Sequence, residues 1–284
     1  MRLGSTYWVG ALGMVLVASA LGSQAEDAKQ IVQQAVNTQL AADRGDNSHW
    51  RYIRTDDGKD KVVVVETEHG AISRHIEVNG RPASPATLAE DDENIQKFIH
   101  DPGMQKKQRE NGAHDDKSAI ELLNLMPEAF VWKVESQTPE LITLSYIPNP
   151  NFDPQSMESR VMGAMSGTLT VAMPGHRIKT FKGRLGKDVT IGFGLLARIK
   201  AGSTFDIERK EVAPGYWQIS ETHVHISGHA LFFKTIGTQE DEMKSDFTLV
   251  PLGTTLEQAV GMLQKAPGCC AAVQQRGSSG RGIL

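Results

Sequence analysis

Apolar residues follow three different rhythms along the chain. Residues Tyr7 to Leu21 form an apolar run relieved only by small residues and carrying no charge. Val32, Val36 and Leu40 then recur four apart, the spacing of one helical face, and predict a helix over Asp27 to about Ala42. Arg44-Gly45-Asp46-Asn47 ends it. Strand character follows at Trp50–Arg54 and in the β-branched run Val62–Glu66, and Ile72, Arg74, Ile76 and Val78 occupy alternate positions. His69-Gly70 between the last two predicts a hairpin, and Asn79-Gly80 closes the segment.

A helical middle is predicted over 84–126. Ser84-Pro85 reads as an N-cap followed by proline at the first helical position, leading through Leu88 to Phe98 and Ile99. Asp101-Pro102-Gly103 interrupts, a charged stretch runs to Asn111-Gly112, and a further helix is predicted from Asp116 to Met126. From Pro139 the chain reads as strands: Leu141–Ile147, Gly167–Met173, Ile178–Arg184, Val189–Ile199, Ser203–Val212, Tyr216–Ile226, His229–Ile236 and Met243–Val250. Their connections, such as Pro174-Gly175-His176, Ala213-Pro214-Gly215 and Ser227-Gly228, are too short for a parallel return, so the region is an antiparallel meander. Thr254 with Glu257 three residues on is a capping box opening a helix to about Lys265. The Gly- and Ser-rich residues 266–284 read as a flexible tail.

The first 25 residues change the setting. Arg2, the apolar run and Ser23-Gln24-Ala25 make the pattern of a cleaved secretory signal, which places the remainder in the periplasm or otherwise outside the cytoplasm. The run is shorter than a membrane span, and no later stretch has the length and apolarity of one. The whole chain has a net charge of −4, and losing Arg2 makes the remainder more negative. That balance disfavours a nucleic-acid surface, which needs clustered cations. The two cysteines, Cys269 and Cys270, are adjacent and cannot staple distant segments, so the core of the single domain 26–265 must rest on burial.

Little in the chain identifies a reaction. His223 and His225 lie two apart on a predicted strand and so share a face, where His229 or Glu221 could join them around a metal ion. The competing reading is the solvent side of an amphipathic strand, with Val224 and Ile226 opposite. Gly192-Phe193-Gly194-Leu195-Leu196-Ala197 matches a dinucleotide-binding turn, but strands flank it, and the glycines read better as bends in a strand. Acidic groups at Asp91-Asp92-Glu93 and Glu240-Asp241-Glu242 read as solvated helix or turn faces. No nucleophile elbow is present, and neither cofactor nor catalytic residue is assigned. Phe193, Leu195, Phe205, Ile207, Trp217, Ile219 and Phe232 recur with period two on successive strands. They read either as plain core or as the lining of an apolar ligand cavity.

The turn and aromatic positions Gly183-Arg184-Leu185, Phe193-Gly194-Leu195-Leu196, Gly202-Ser203-Thr204-Phe205, Gly215-Tyr216-Trp217, Gly228 to Lys234 and Ser245-Asp246-Phe247 resemble those of exported bacterial proteins akin to the periplasmic lipoprotein-carrier superfamily. The resemblance spans about Met165 to Pro251. It implies an α+β fold in which a strongly curved, half-barrel-like antiparallel sheet wraps helices, and a non-enzymatic carrier of a lipid or lipidated partner. The polar stretch from Asp91 to Asp116 and the adjacent cysteines depart from that pattern. Two alternatives stand beside it: an envelope protein–protein interaction module without a ligand, and a metal-dependent hydrolase on the His223/His225 strand.

Overall fold

Short turns return the chain strand after strand, and every ladder in the computed structural model, which describes residues 18–191, 197–230 and 234–264, is antiparallel. Helix α1 (Ala18–Gly45) is followed by β1 (His49–Asp56), β2 (Asp60–Thr67), β3 (Gly70–Val78) and the short β4 (Arg81–Pro82). Helices α2 (Pro85–His100) and α3 (Pro102–Ala129) come next, then β5 (Phe130–Gln137) and β6 (Leu141–Pro148). Helix α4 (Met157–Met162) precedes β7 (Met165–Ala172), β8 (Arg177–Leu185), β9 (Val189–Ile191) and β10 (Ala197–Ile199). The long strands β11 (Thr204–Ala213), β12 (Tyr216–Ala230) and β13 (Lys234–Val250) lead to α5 (Leu256–Leu263). Among the described residues one sheet of 13 strands results, ordered β4-β3-β2-β1-β13-β12-β11-β8-β7-β6-β5, with β10 attached beside β12 and β9 beside β10. It is open, with β4 and β5 at the ends of this path. Among the described residues no helix is long and apolar enough to cross a membrane.

The predicted meander from Leu141 onward is present, with departures. The predicted strand His229–Ile236 is divided between the end of β12 and the start of β13, and β13 continues without a break through the predicted Met243–Val250. The expected turn at Ser227-Gly228 is absent, because β12 runs straight through it. Gly228 instead pairs with Ile199 on one side and Ile236 on the other, and a side chain there would strike the Arg198 carbonyl. The expected single strand Val189–Ile199 is two short strands paired with each other. Strand β5 begins directly after α3, with no turn residues between them to announce it. In the helical middle, Asp101 caps α3 by accepting hydrogen bonds from Gly103 N and Met104 N, and α3 passes through Gly112 without a break. The last helix is capped one residue later than predicted, by Thr255 with Gln258.

Helices cover both faces of the sheet, where the sequence suggested that the sheet wraps them all. Val32, Ala35 and Val36 of α1 are buried against Leu144, Leu169 and Val171 in the larger core. Following the register from Leu169 through Phe181, Ile207, Thr222, Glu242 and Asp56 to Asp60 carries that face to β2, where Val62 and Val64 belong to it. There Trp50, Tyr52, Val62 and Val64 pack under the tip of the β11–β12 hairpin, with Trp50 and Tyr216 edge to face at 5.6 Å. Val63 and Val65 point the other way, into a separate core with Ile95 and Phe98 of α2 and Leu256, Ala259 and Leu263 of α5. Strand β2 is therefore buried on both sides, which explains its uninterrupted valines.

Candidate functional site

On the α1 face, an aromatic row crosses the sheet. Tyr146 lies between Phe130, Trp132 and Phe181 at centroid distances of 4.4, 5.2 and 5.3 Å, and Phe181 meets Phe205 at 4.8 Å. Gly167 and Gly183 stand opposite each other in the register between Tyr146 and Phe205; a side chain at Gly183 would strike those two rings, and one at Gly167 would strike the Lys182 backbone. The Tyr146 hydroxyl donates to the Lys182 carbonyl at 2.9 Å.

Four of the residues predicted to line a cavity extend this surface. Phe205 and Ile207 share the α1 face of β11. A bulge in the β11–β12 ladder, where Glu208 faces Glu221 and Arg209 faces Ile219, leaves Ser220 extra and returns Ile219 and Trp217 to that same face. All four are half-buried. Trp217 is covered in part by the Arg177 guanidinium, 5.7 Å from its ring centre. Arg209 reaches Asp43 of α1 at 3.7 Å, and Gln218 reaches Asp46 at 3.4 Å, so this end of β12 sits beside the C-terminal end of α1. Burial depresses the pKa of both guanidiniums from the ordinary arginine value, and the Asp43 carboxylate opposes the shift. Phe193, Leu195 and Phe232 lie outside the described residues.

The opposite face carries the histidines. His223 and His225 do point together, as their spacing demands, but onto a carboxylate. Asp241 Oδ1 lies 2.7 Å from His223 Nδ1 and 3.0 Å from His225 Nε2, and Gln239 Nε2 donates to Oδ2 at 3.0 Å. Asp241 stands directly opposite His223 in the β12–β13 ladder, so the acidic group Glu240-Asp241-Glu242 belongs to a strand and not to a turn. Among the described residues no group of three or more His, Cys, Asp and Glu side chains is arranged to hold a metal ion. The His229 backbone pairs with Arg198 and Thr235, which continues the ladder away from this cluster.

Hydrogen bonds from Gln239 first, and then from the two imidazoles, hold the Asp241 carboxyl well below the usual carboxylate range. A depressed carboxyl stabilises the fold above its unfolded pKa of about 4 and loses that contribution as the pH falls towards the folded value. A carboxyl-carbon NMR titration is expected to show Asp241 still ionised well below pH ~4, and Gln239→Ala should move its midpoint upward. A wild-type midpoint near 4 would mean that these bonds do not persist in solution.

Next to this cluster an open depression of about 410 Å³ is lined by Ser166, Thr168, Lys182, Arg184, Thr204, Asp206, His223 and His225, with Gly167, Gly183 and Phe205 contributing to its walls. Lys182 pairs with Asp206 at 2.7 Å, which raises the ammonium pKa, and Glu221 pairs with Lys210 at 2.8 Å, which lowers the carboxyl pKa. Two-apart spacing in the sequence could find the histidines, whereas Asp241, Lys182 and Arg184 join them only through the register of β8, β11, β12 and β13. No protein-family model matches the chain, and no curated protein or solved structure matches it either.

Proposed function

We propose that the protein is an exported, non-enzymatic carrier or binding protein that holds a lipid or the acyl chain of a lipidated partner against the α1 face of its sheet. The observation that carries this reading is the set of half-buried apolar side chains, Phe205, Ile207, Trp217 and Ile219, that continue the aromatic row on the face where α1 lies. Beneath α1 itself the space is filled, since Val32, Ala35, Val36, Leu144 and Leu169 are all fully buried. A ligand would therefore lie beside α1 or enter as the helix shifts, with the sheet curving around the apolar chain. Burial of acyl methylenes would supply affinity at about 0.8 kcal/mol each.

Native mass spectrometry of gently extracted protein is expected to show a bound acyl species, and fluorescent fatty acid should be taken up. Ile207→Glu places a charge on this half-buried surface and is expected to reduce uptake by tenfold or more, on the order of two lost methylene contacts. Absence of both co-purified lipid and uptake would overturn the proposal. So would undiminished uptake by the Ile207→Glu variant in a sample whose circular dichroism matches the parent.

A further inference from the structure

The polar depression on the face opposite α1 has a distribution of charge that its own partners do not explain. Its one lining carboxylate, Asp206, is engaged by Lys182, and the neighbouring Asp241 is engaged by the two imidazoles and Gln239. Its donors are not all engaged. Arg184 is exposed, and its side chain makes no hydrogen bond or ion pair with another described residue. Ser166 and Thr204 stand directly opposite it on the two neighbouring strands, and Thr168 stands opposite Lys182. None of these three hydroxyls is hydrogen-bonded to another described residue.

The row Ser166, Arg184, Thr204 and His225 thus contains a guanidinium flanked by hydroxyls and no carboxylate. Neighbouring strands are about 4.8 Å apart, so the two hydroxyl positions lie roughly 10 Å apart with the guanidinium between them. Donors converging from several sides suit a tetrahedral oxyanion, whose oxygens project in different directions. A guanidinium can also hold two of those oxygens at once.

We propose that this depression is a binding site for a phosphoryl group, with Arg184 as its principal contact and Lys182, Ser166, Thr168 and Thr204 around it. The phosphoryl could belong to free phosphate or to a phospholipid headgroup. The site faces away from α1 and does not depend on the carrier reading.

The test uses the full mature chain and two probes. Inorganic phosphate is titrated while the amide signals of β8 and β11 are followed by NMR. Vesicle flotation then compares phosphatidylcholine alone with a phosphatidylcholine–phosphatidylglycerol mixture. Arg184→Gln should fold like the parent, because the side chain it replaces is exposed and unpartnered. Loss of the charge-assisted contact is expected to weaken binding about tenfold or more. Lys106→Gln, which removes an exposed cation on α3, should leave binding unchanged.

Shifts with inorganic phosphate that Arg184→Gln weakens would support a free-phosphate site. Flotation only with the anionic vesicles, and lost in Arg184→Gln, would support a headgroup site. Binding of neither probe, or binding equally insensitive to Arg184→Gln and Lys106→Gln, would overturn the proposal.

Discussion

Replacing Tyr146 by alanine is expected to destabilise the fold by about 3–5 kcal/mol, the cost of emptying a large aromatic site in a packed core. The side chain is 1 % exposed, touches three other aromatic rings and ends on the Lys182 carbonyl. Rings on three sides leave little freedom for collapse into the void, which argues for the upper part of that range. Tyr146→Phe keeps the ring and removes only the hydroxyl, so about 1 kcal/mol is expected. Urea melts of the two variants separate these contributions. Similar midpoints for both would show that the hydroxyl bond, and not the packing, is what matters at this position.

Gly167→Ala should be equally severe for a different reason. An added Cβ would overlap the Lys182 carbonyl on β8, and that atom belongs to the backbone of a paired strand. Relief requires prising the β7–β8 ladder apart, expected to cost about 3 kcal/mol or more and to reduce soluble yield. Gly58→Ala is the control. Its Cβ would meet nothing within 4 Å, and the only penalty is its φ of +66°, worth about 1–2 kcal/mol. A Gly167→Ala protein that melts within error of the parent would contradict the close approach of these strands.

The parts of the fold legible from the chain are those fixed by local chemistry. Alternation between short turns located the strands from Leu141 onward, and Ser84 with Pro85 located the start of α2. Gly228 misled because glycine serves two purposes: it permits turns, and it permits another backbone to come close. Here the second applies, through the Arg198 carbonyl. The helix faces were misjudged because which side of a sheet a helix covers depends on register across many strands. A single bulge, like the one at Ser220, reverses which residues look inward. The candidate site divides along the same line. The shared face of His223 and His225 follows from their spacing, whereas Asp241 sits 16 residues from His225 and meets it only once β12 and β13 are aligned.

The pairing of β1 with β13 joins the first described strand to the last, His49 opposite Val250. Closing a loop of about 200 residues costs on the order of 5 kcal/mol in its length-dependent entropy. As the polypeptide emerges amino end first, the β1 edge therefore has no partner until nearly the whole chain is available. Trp50 and Tyr52 would wait uncovered during that interval, since Phe247 and Tyr216 arrive late. Truncated or stalled chains ending before residue 250 should thus present a sticky, unfinished strand, the form most in need of a chaperone.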